Sequence, residues 1–214
     1  MVITVGRQYG SGGREIGTML AEKLGIAYYD DMLLKEAAKE SGLCEDLFRS
    51  FDERPKSFLY SVAMDPYSFS MNHVMPKGSI EQQVYLATYD TIKKLADKGP
   101  CVLIGRCADY ALAENPNHLS LFIYAPMDVR IARVAKRQNV TPEEARKLII
   151  KTDKRRASYY EYYSSQKWGA VGSYDFCLDS SYLGLGGTVE LIQAMVAHKE
   201  HPIPSPTEED PTQK

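Results

Sequence analysis

No two of the four cysteines, Cys44, Cys101, Cys107 and Cys177, stand in a C-x-x-C pair. Three of them lie in or beside apolar strand patterns, so buried free thiols are expected and a disulfide framework is not. The four histidines, His73, His118, His198 and His201, are scattered and show no H-E-x-x-H spacing, which removes a protein-held zinc from the expected chemistry. Long apolar runs are missing as well. None approaches the roughly 20 residues that span a bilayer, and the chain opens on a strand pattern without the charged segment of a secretory leader. A cytoplasmic protein with no membrane partner is expected. Nor is there an excess of one charge: 26 basic residues face 28 acidic ones, for a net charge of −2, so no global basic field argues for nucleic acid. Any anion chemistry must come from local clusters.

What is present is alternation. Short β-branched or aromatic runs at Met1–Val5, Ala27–Tyr29, Cys101–Ile104, Leu119–Tyr124 and Tyr174–Leu178 are separated by long helical patterns. The helices are expected near 14–24, 32–41, 80–98, 127–138, 142–163 and 188–198. Thr141-Pro142-Glu143-Glu144 is an N-terminal signature, with a capping threonine, proline at the first helical position and acids in the first turn. This order reads as βαβ units around a parallel sheet covered on both faces, with a length of 214 residues that suits one α/β domain over about 1–200. Residues 51–78 hold three prolines, several methionines and four aromatics between Phe58 and Phe69. They read as an acceptor-side insert, and those aromatics leave a homodimer contact and a ligand lid both open. Residues 201–214, proline-rich and acidic, read as a disordered tail.

The most informative segment is Gly6-Arg7-Gln8-Tyr9-Gly10-Ser11-Gly12-Gly13-Arg14-Glu15, between the first strand and the first helix. Gly10, Gly12 and Gly13 can take φ > 0, so backbone N–H groups converge while the helix start adds its unpaired donors. Strand, glycines and helix in that order make a phosphate cradle, with Gly10, Ser11, Gly12, Gly13, Arg14 and Glu15 as its candidate residues. The full pattern G-x-x-x-x-G-K-[ST] is nonetheless incomplete: with Gly12 in the last glycine slot, the lysine slot holds Gly13 and the first glycine slot holds Arg7. Arg14 is the candidate to replace the lost charge, with a forked head that clamps rather than follows a phosphate.

Other cationic and acidic groups fall on the expected rim. In an open parallel sheet, ligands sit beyond the carboxyl ends of the strands, which is where Arg106, Asp109, Asp30 and Asp31 follow their strands. One of the two adjacent aspartates also fits the N-cap of the helix after them. Arg130, Arg133 and Arg137 share a helix face, and Asp153-Lys154-Arg155-Arg156 leads into Tyr159, Tyr160, Tyr162 and Tyr163. Two basic runs flanking one connection read as a lid over polyphosphate at about 137–165. The tyrosines either stack on a base or pack that lid against the core.

Together these segments resemble the P-loop nucleoside monophosphate kinases, and most closely the cytidylate kinase-like family. The resemblance is carried by Arg7 to Ile16, Tyr29-Asp30-Asp31, Ile104-Gly105-Arg106, the helix from Arg130, and Tyr174 to Ser181 with Leu183-Gly184. It implies a three-layer P-loop NTPase fold with a five-stranded parallel sheet, ATP on the glycine loop, and Mg²⁺ carried by the nucleotide rather than by the protein alone. It implies transfer of the γ-phosphoryl group to a nucleoside monophosphate such as CMP or dCMP. Carried over by position, Arg106 holds the acceptor phosphate, Asp30 lies in the acceptor pocket, and Arg130 and Arg133 flank the donor. Asp153 and Arg156 match an Asp-x-x-Arg pattern that contributes to acceptor recognition. Arg14, Arg106, Arg130, Arg133 and Arg156 are then the candidate catalytic residues. The chain departs from the family at the lysine slot, at the Ser/Thr slot after it, filled by Arg14 or Glu15, and at Ile149, where an arginine is expected. A binding module without catalysis and a kinase for another small acceptor stay open beside this reading. A hydroxyl acceptor would need a base among Asp30, Asp31 and Asp109.

Overall fold

A computed structural model describes residues 1–51 and 79–200. The expected insert from residue 52 onward and the tail at 201–214 lie outside the described residues. The elements run β1 (Val2–Arg7), α1 (Gly13–Leu24), β2 (Ala27–Tyr29), α2 (Asp31–Ser41), α3 (Glu45–Phe51), α4 (Ile80–Lys98), β3 (Cys101–Ile104), α5 (Ala108–Ala111), β4 (His118–Tyr124), α6 (Met127–Gln138), α7 (Pro142–Ser164), β5 (Phe176–Asp179) and α8 (Gly184–Glu200). The five strands are all parallel, in the order β2-β3-β1-β4-β5. Because β1 is central, the loop that follows it leaves the middle of the sheet.

The period of two along β1 sorts its side chains between the layers. Ile3 and Val5 are fully buried against Ile16 and Leu20 of α1 and Val189, Ile192 and Val196 of α8. Val2 faces the other way, toward Leu33 of α2, Ile92 and Leu95 of α4, and Leu103 of β3. Each such large apolar side chain, taken from water, contributes about 1.5–3 kcal/mol. Gly17 lets α1 sit close on the sheet, since a Cβ there would come within 2.5 Å of Ile104 Cδ1. Gly25 ends α1 in a left-handed conformation at φ 65°, donating its N–H back to the last turn. At the start of α7, Thr141 and Glu144 cap each other reciprocally with Pro142 in the first turn, a device that contributes about 1 kcal/mol.

Five elements differ from the sequence expectation, the first being β1, which runs on to Arg7 rather than ending at Val5. Helix α3 carries no strong start signal, yet Phe48 is fully buried among Leu34, Ala37, Ala38 and Val84, and that anchor holds it. A single turn, α5, follows β3. The last strand begins two residues later than the pattern suggests. Tyr174 turns into an aromatic cluster with Phe122, Tyr159 and Tyr160, and Asp175 joins Ser120 through both its backbone and its carboxylate before the ladder starts at Phe176. Helix α8 starts at Gly184 rather than Thr188, because burial of Val189 and Ile192 outweighs the poor helix propensity of Gly184, Gly186 and Gly187. Of the α7 tyrosines, Tyr159, Tyr160 and Tyr163 pack against the core, with Tyr163 stacked on Tyr85 at 3.8 Å between ring centroids, while Tyr162 is exposed. Among the described residues, no helix is long and apolar enough to cross a membrane. All four cysteines are free thiols, with Cys44 exposed and Cys101 and Cys107 buried.

Candidate active site

The loop after β1 turns through Gly10 at φ 81° and Gly12 at φ 85°, both left-handed. Glycine is needed there for conformation and also for space. A Cβ on Gly10 would lie 2.8 Å from Val134 Cγ2 and 3.0 Å from the Arg130 carbonyl oxygen. Gly13, also expected to use positive φ, does not: it is the first residue of α1, and a side chain there would meet Arg7 Cβ at 2.6 Å. Helix α1 opens without a side-chain cap, so the amides of Gly13, Arg14 and Glu15 face the loop without one. Two other loop amides are engaged inside the protein. Tyr9 N–H donates to Asp153 Oδ1 at 2.7 Å, and Ser11 N–H donates to the Gln8 carbonyl at 3.2 Å.

A cavity of about 670 Å³ opens over this loop. Its wall combines Gly10, Gly12, Gly13 and Glu15 with Arg7, Arg137, Arg155 and Arg156, then continues to Arg14, Asp30, Asp31 and Arg106. A second cavity of about 400 Å³ lies on the other side of the loop, between Arg133, Lys136, Arg137 and Leu185, and shares Gly10, Gly12 and Glu15 with the first.

At the far end of the larger cavity, Arg106 is 5 % exposed and pairs with the buried Asp30 carboxylate, while donating to the Ile104 carbonyl at 2.9 Å. Its backbone is unusual. Gly105, Arg106 and Cys107 have φ of 68°, 55° and 56°, so two non-glycine residues hold a left-handed conformation that L side chains disfavour. The result is a sharp exit from β3 with Arg106 turned under the cavity. Arg14 reaches across from α1, with Nε 2.6 Å from Asp30 and Nη2 2.8 Å from Asp31. Partial burial opposes the charged guanidinium, but the two carboxylates outweigh it and hold its pKa above the ordinary value. Partial burial likewise opposes the Asp31 carboxylate, and its bonds to Arg14 and Arg106 prevail and hold it below the usual range. Neither aspartate caps α2. Asp30 occupies the cap position with no side-chain bond to the helix, and Asp31 is the first helical residue.

Five expected residues, Ser11, Asp109, Arg130, Arg133 and Asp153, do not line the larger cavity. Arg130 and Asp153 are both largely buried and pair at 2.5 Å beneath Tyr9. Burial pushes the Asp153 pKa up, against the pull of Tyr9 N–H and Arg130. Arg133 binds the Ser11 carbonyl at 2.8 Å and Ser180 Oγ at 2.9 Å, tying α6 to the loop and to the turn before α8. Ser11 is fully buried, with its carbonyl accepting from both Arg133 and Ser180. Asp109 lies behind Arg106 in a recess of only about 20 Å³, accepting from Tyr160 Oη at 2.6 Å. Burial raises its pKa to about 6, with the Tyr160 bond acting in the opposite direction. Sequence reasoning missed Arg7, Gln8 and Tyr9 as wall residues, while Arg155 belongs to the basic run it read as a lid. Arg7 was legible as the last residue of a buried strand at its carboxyl end, the rule already applied to Arg106.

The model of the cytidylate kinase-like family matches residues 2–182. The chain belongs to the cytidylate kinase-like family. It is 24% identical over 199 residues to a cytidylate kinase of Methanocaldococcus jannaschii, covering 92% of this chain and 97% of that one. It is 25% identical over 206 residues to a cytidylate kinase of Methanopyrus kandleri, covering 92% and 93%. Among solved structures, an uncharacterised protein from Eubacterium ventriosum is similar with a TM-score of 0.70 at 27% identity, covering 92% of this chain and 98% of that one. A shikimate kinase from Bacteroides thetaiotaomicron shares the fold with a TM-score of 0.52 at 13% identity, covering 92% and 98%. The five-stranded parallel sheet with its flanking helices is thus a fold that this chain shares with that kinase.

Proposed function

We propose that this family member is a nucleotide kinase that moves the γ-phosphoryl group of ATP to a pyrimidine nucleoside monophosphate, CMP or dCMP. The observation that carries the reading is the arrangement of two cavities around one glycine loop, the larger of which runs on to the buried pair Arg106–Asp30. The donor base and ribose fit the space between Arg133, Lys136 and Leu185, and the donor phosphates lie over the loop amides. Arg7, Arg137, Arg155 and Arg156 neutralise the polyphosphate from its rim. Arg106 holds the acceptor phosphate, displacing Asp30, which turns to orient the acceptor. Arg14 lies between the two ends and steadies the transferred group. Residues 137–165 act as a lid that brings Arg156 to the phosphates, and Arg130 and Asp153 act beneath it by holding the loop.

The fit of the expected nucleotide rests on the left-handed glycines, the uncapped start of α1 and the arginine-rich wall. Mg²⁺ would enter on the phosphates and supply charge neutralisation. Among the described residues, no three histidine, cysteine or acidic side chains converge to hold an ion. A phosphate acceptor is already anionic, so the reaction needs position and charge more than a base. Asp109, shut in its recess, is accordingly assigned no proton transfer.

One observation favours a second reading, a nucleotide-binding module without turnover: Arg14, the nearest substitute for the missing lysine, is engaged by Asp30 and Asp31. A coupled ADP-release assay with ATP and Mg²⁺ against CMP, dCMP, UMP, AMP and GMP separates the two. The kinase reading expects turnover with CMP or dCMP above the other acceptors. ATP binding with no ADP release against any of the five would overturn it.

A further inference from the structure

The cavity wall contains one aromatic side chain inside the glycine loop itself, Tyr9, and every part of it is engaged by the two helices that follow β4. Its N–H donates to Asp153 of α7, and its carbonyl accepts from Arg130 of α6 at 3.4 Å. Arg130 and Asp153 are themselves paired, which closes a buried triangle beneath the loop. The ring packs against the small apolar cluster of Val134, Ala145 and Ile149 that joins α6 to α7. Two cations approach that ring: the Arg137 guanidinium carbon lies 5.2 Å from its centroid and that of Arg156 lies 5.7 Å away. Arg156 also donates to the Arg7 carbonyl at 3.3 Å. Both arginines line the 670 Å³ cavity.

Two guanidinium groups held near each other repel, and long arginine side chains lose much rotamer entropy when fixed. An aromatic face relieves both difficulties, because the ring quadrupole attracts each cation and provides a flat surface that restricts it. The loop carries no lysine, and Arg14 is committed to two carboxylates at the other end of the cavity. The cationic charge over the loop therefore comes from Arg7 at the end of β1 and from α6 and α7, and Tyr9 is the group that both helices share.

We infer that Tyr9 is a positioning residue for polyphosphate: its ring aligns Arg137 and Arg156 over the glycine loop, and its backbone fixes the loop to α7 through Asp153. The ligand class is an inorganic or nucleoside triphosphate chain, and the assignment rests on the proposed donor site. Tyr9 need not touch the ligand. It acts through the two arginines, so its substitution and theirs are coupled.

The test is calorimetric titration with inorganic tripolyphosphate, which reads the anion site without requiring turnover, on the wild type, Tyr9→Phe, Tyr9→Leu, Tyr9→Met, Arg156→Ala and the double variant Tyr9→Leu/Arg156→Ala. Leucine and methionine keep apolar bulk but lack a π-face, so either one serves if the other does not fold, as checked by its melting curve. Loss of two exposed cation–π contacts corresponds to a weakening of roughly tenfold in the leucine and methionine variants. Tyr9→Phe is expected to stay within about twofold of the wild type, because only the long bond from Gln138 to the hydroxyl, at 3.4 Å, is removed. The double variant is expected to bind no more weakly than Arg156→Ala by more than about threefold, the share left to Arg137. Wild-type affinity in folded Tyr9→Leu or Tyr9→Met, full additivity in the double variant, or no tripolyphosphate binding by the wild type would each overturn the inference. If tripolyphosphate binding behaves as expected while no acceptor is phosphorylated, the inference stands and the kinase reading falls.

Discussion

The two ends of the large cavity use the same side chain for opposite purposes. At the end near Arg106, two arginines meet two aspartates, and the charges close on each other within the protein. At the loop end, Arg7, Arg137, Arg155 and Arg156 line the wall with Glu15, so cationic groups outnumber acidic ones among the described wall residues there. A balanced cluster resists binding an anion until the anion replaces a carboxylate, so it selects by exchange. An unbalanced cluster attracts any polyphosphate and selects weakly. Discrimination between ligands should accordingly reside at the Arg106 end and affinity at the loop end.

The strongest way to break this comparison is to remove Arg106. Arg106→Ala leaves the buried Asp30 with only the half-exposed Arg14, and the expected loss is ~3 kcal/mol of stability by denaturant titration. Turnover should fall by about 100-fold or more, since the acceptor phosphate loses its partner in the transition state. A variant that stays stable and active would show that the pair is ornamental. The recess behind Arg106 gives a second test through pH. The Asp109 carboxyl is raised from 3.8 to about 6 by burial, so its contribution to stability is fully present below its unfolded value and is lost as the pH rises through about 6. Two such units amount to about 3 kcal/mol as an upper bound. His118, at 2.7 Å from Thr4 Oγ1, works in the opposite direction over the same window. Burial lowers its pKa from 6.5 to about 4, so its contribution is present above 6.5 and is lost as the pH falls through about 4. The stability of the wild type should therefore vary little between pH 4 and 6 on account of these two groups. Asp109→Asn should expose a falling acid limb in equilibrium unfolding.

The loop end should respond differently. Arg156→Ala is expected to raise the KM for ATP about tenfold while leaving the acceptor KM within about threefold, a split that steady-state kinetics reads directly. Equal effects on both substrates would erase the distinction between the two ends. The smallest loss of stability is expected at Arg14, whose side chain is 57 % exposed. Its surface ion pairs should contribute less than about 1 kcal/mol, and Arg14→Ala should lower the melting temperature only slightly. Turnover left unchanged in that variant would take Arg14 away from the transferred group.

The sheet, the glycine loop and the capped start of α7 were legible because each is a local pattern: alternation, glycines after a strand, threonine followed by proline and acids. Arg106 was legible by its position after β3. The pairings that decide what each cation does were not. Asp153 and Tyr9 are 144 residues apart, and nothing in the spacing of Asp153 and Arg156 tells that one turns into the protein and the other toward the cavity. Helical spacing likewise put Arg130, Arg133 and Arg137 on one face, yet one is sealed under the loop, one ties the loop to Ser180, and one reaches the larger cavity. Helix α3 was hidden because its stability comes from the tertiary burial of one of its seven residues, Phe48, rather than from a local start signal.

The register between β1 and β3 has a further meaning. Val5 pairs with Ile104, and Gly105 N–H donates to the Val5 carbonyl, so the segment leading to the loop and the one leading to Arg106 leave the sheet at the same level on neighbouring strands. Neighbouring strands stand about 4.8 Å apart wherever sheets form. The sheet thus works as a ruler: it sets the gap between the two proposed phosphate supports by backbone hydrogen bonds that no side-chain substitution rewrites. Elements away from those two strands can change to suit another acceptor while the reach of the transfer stays the same.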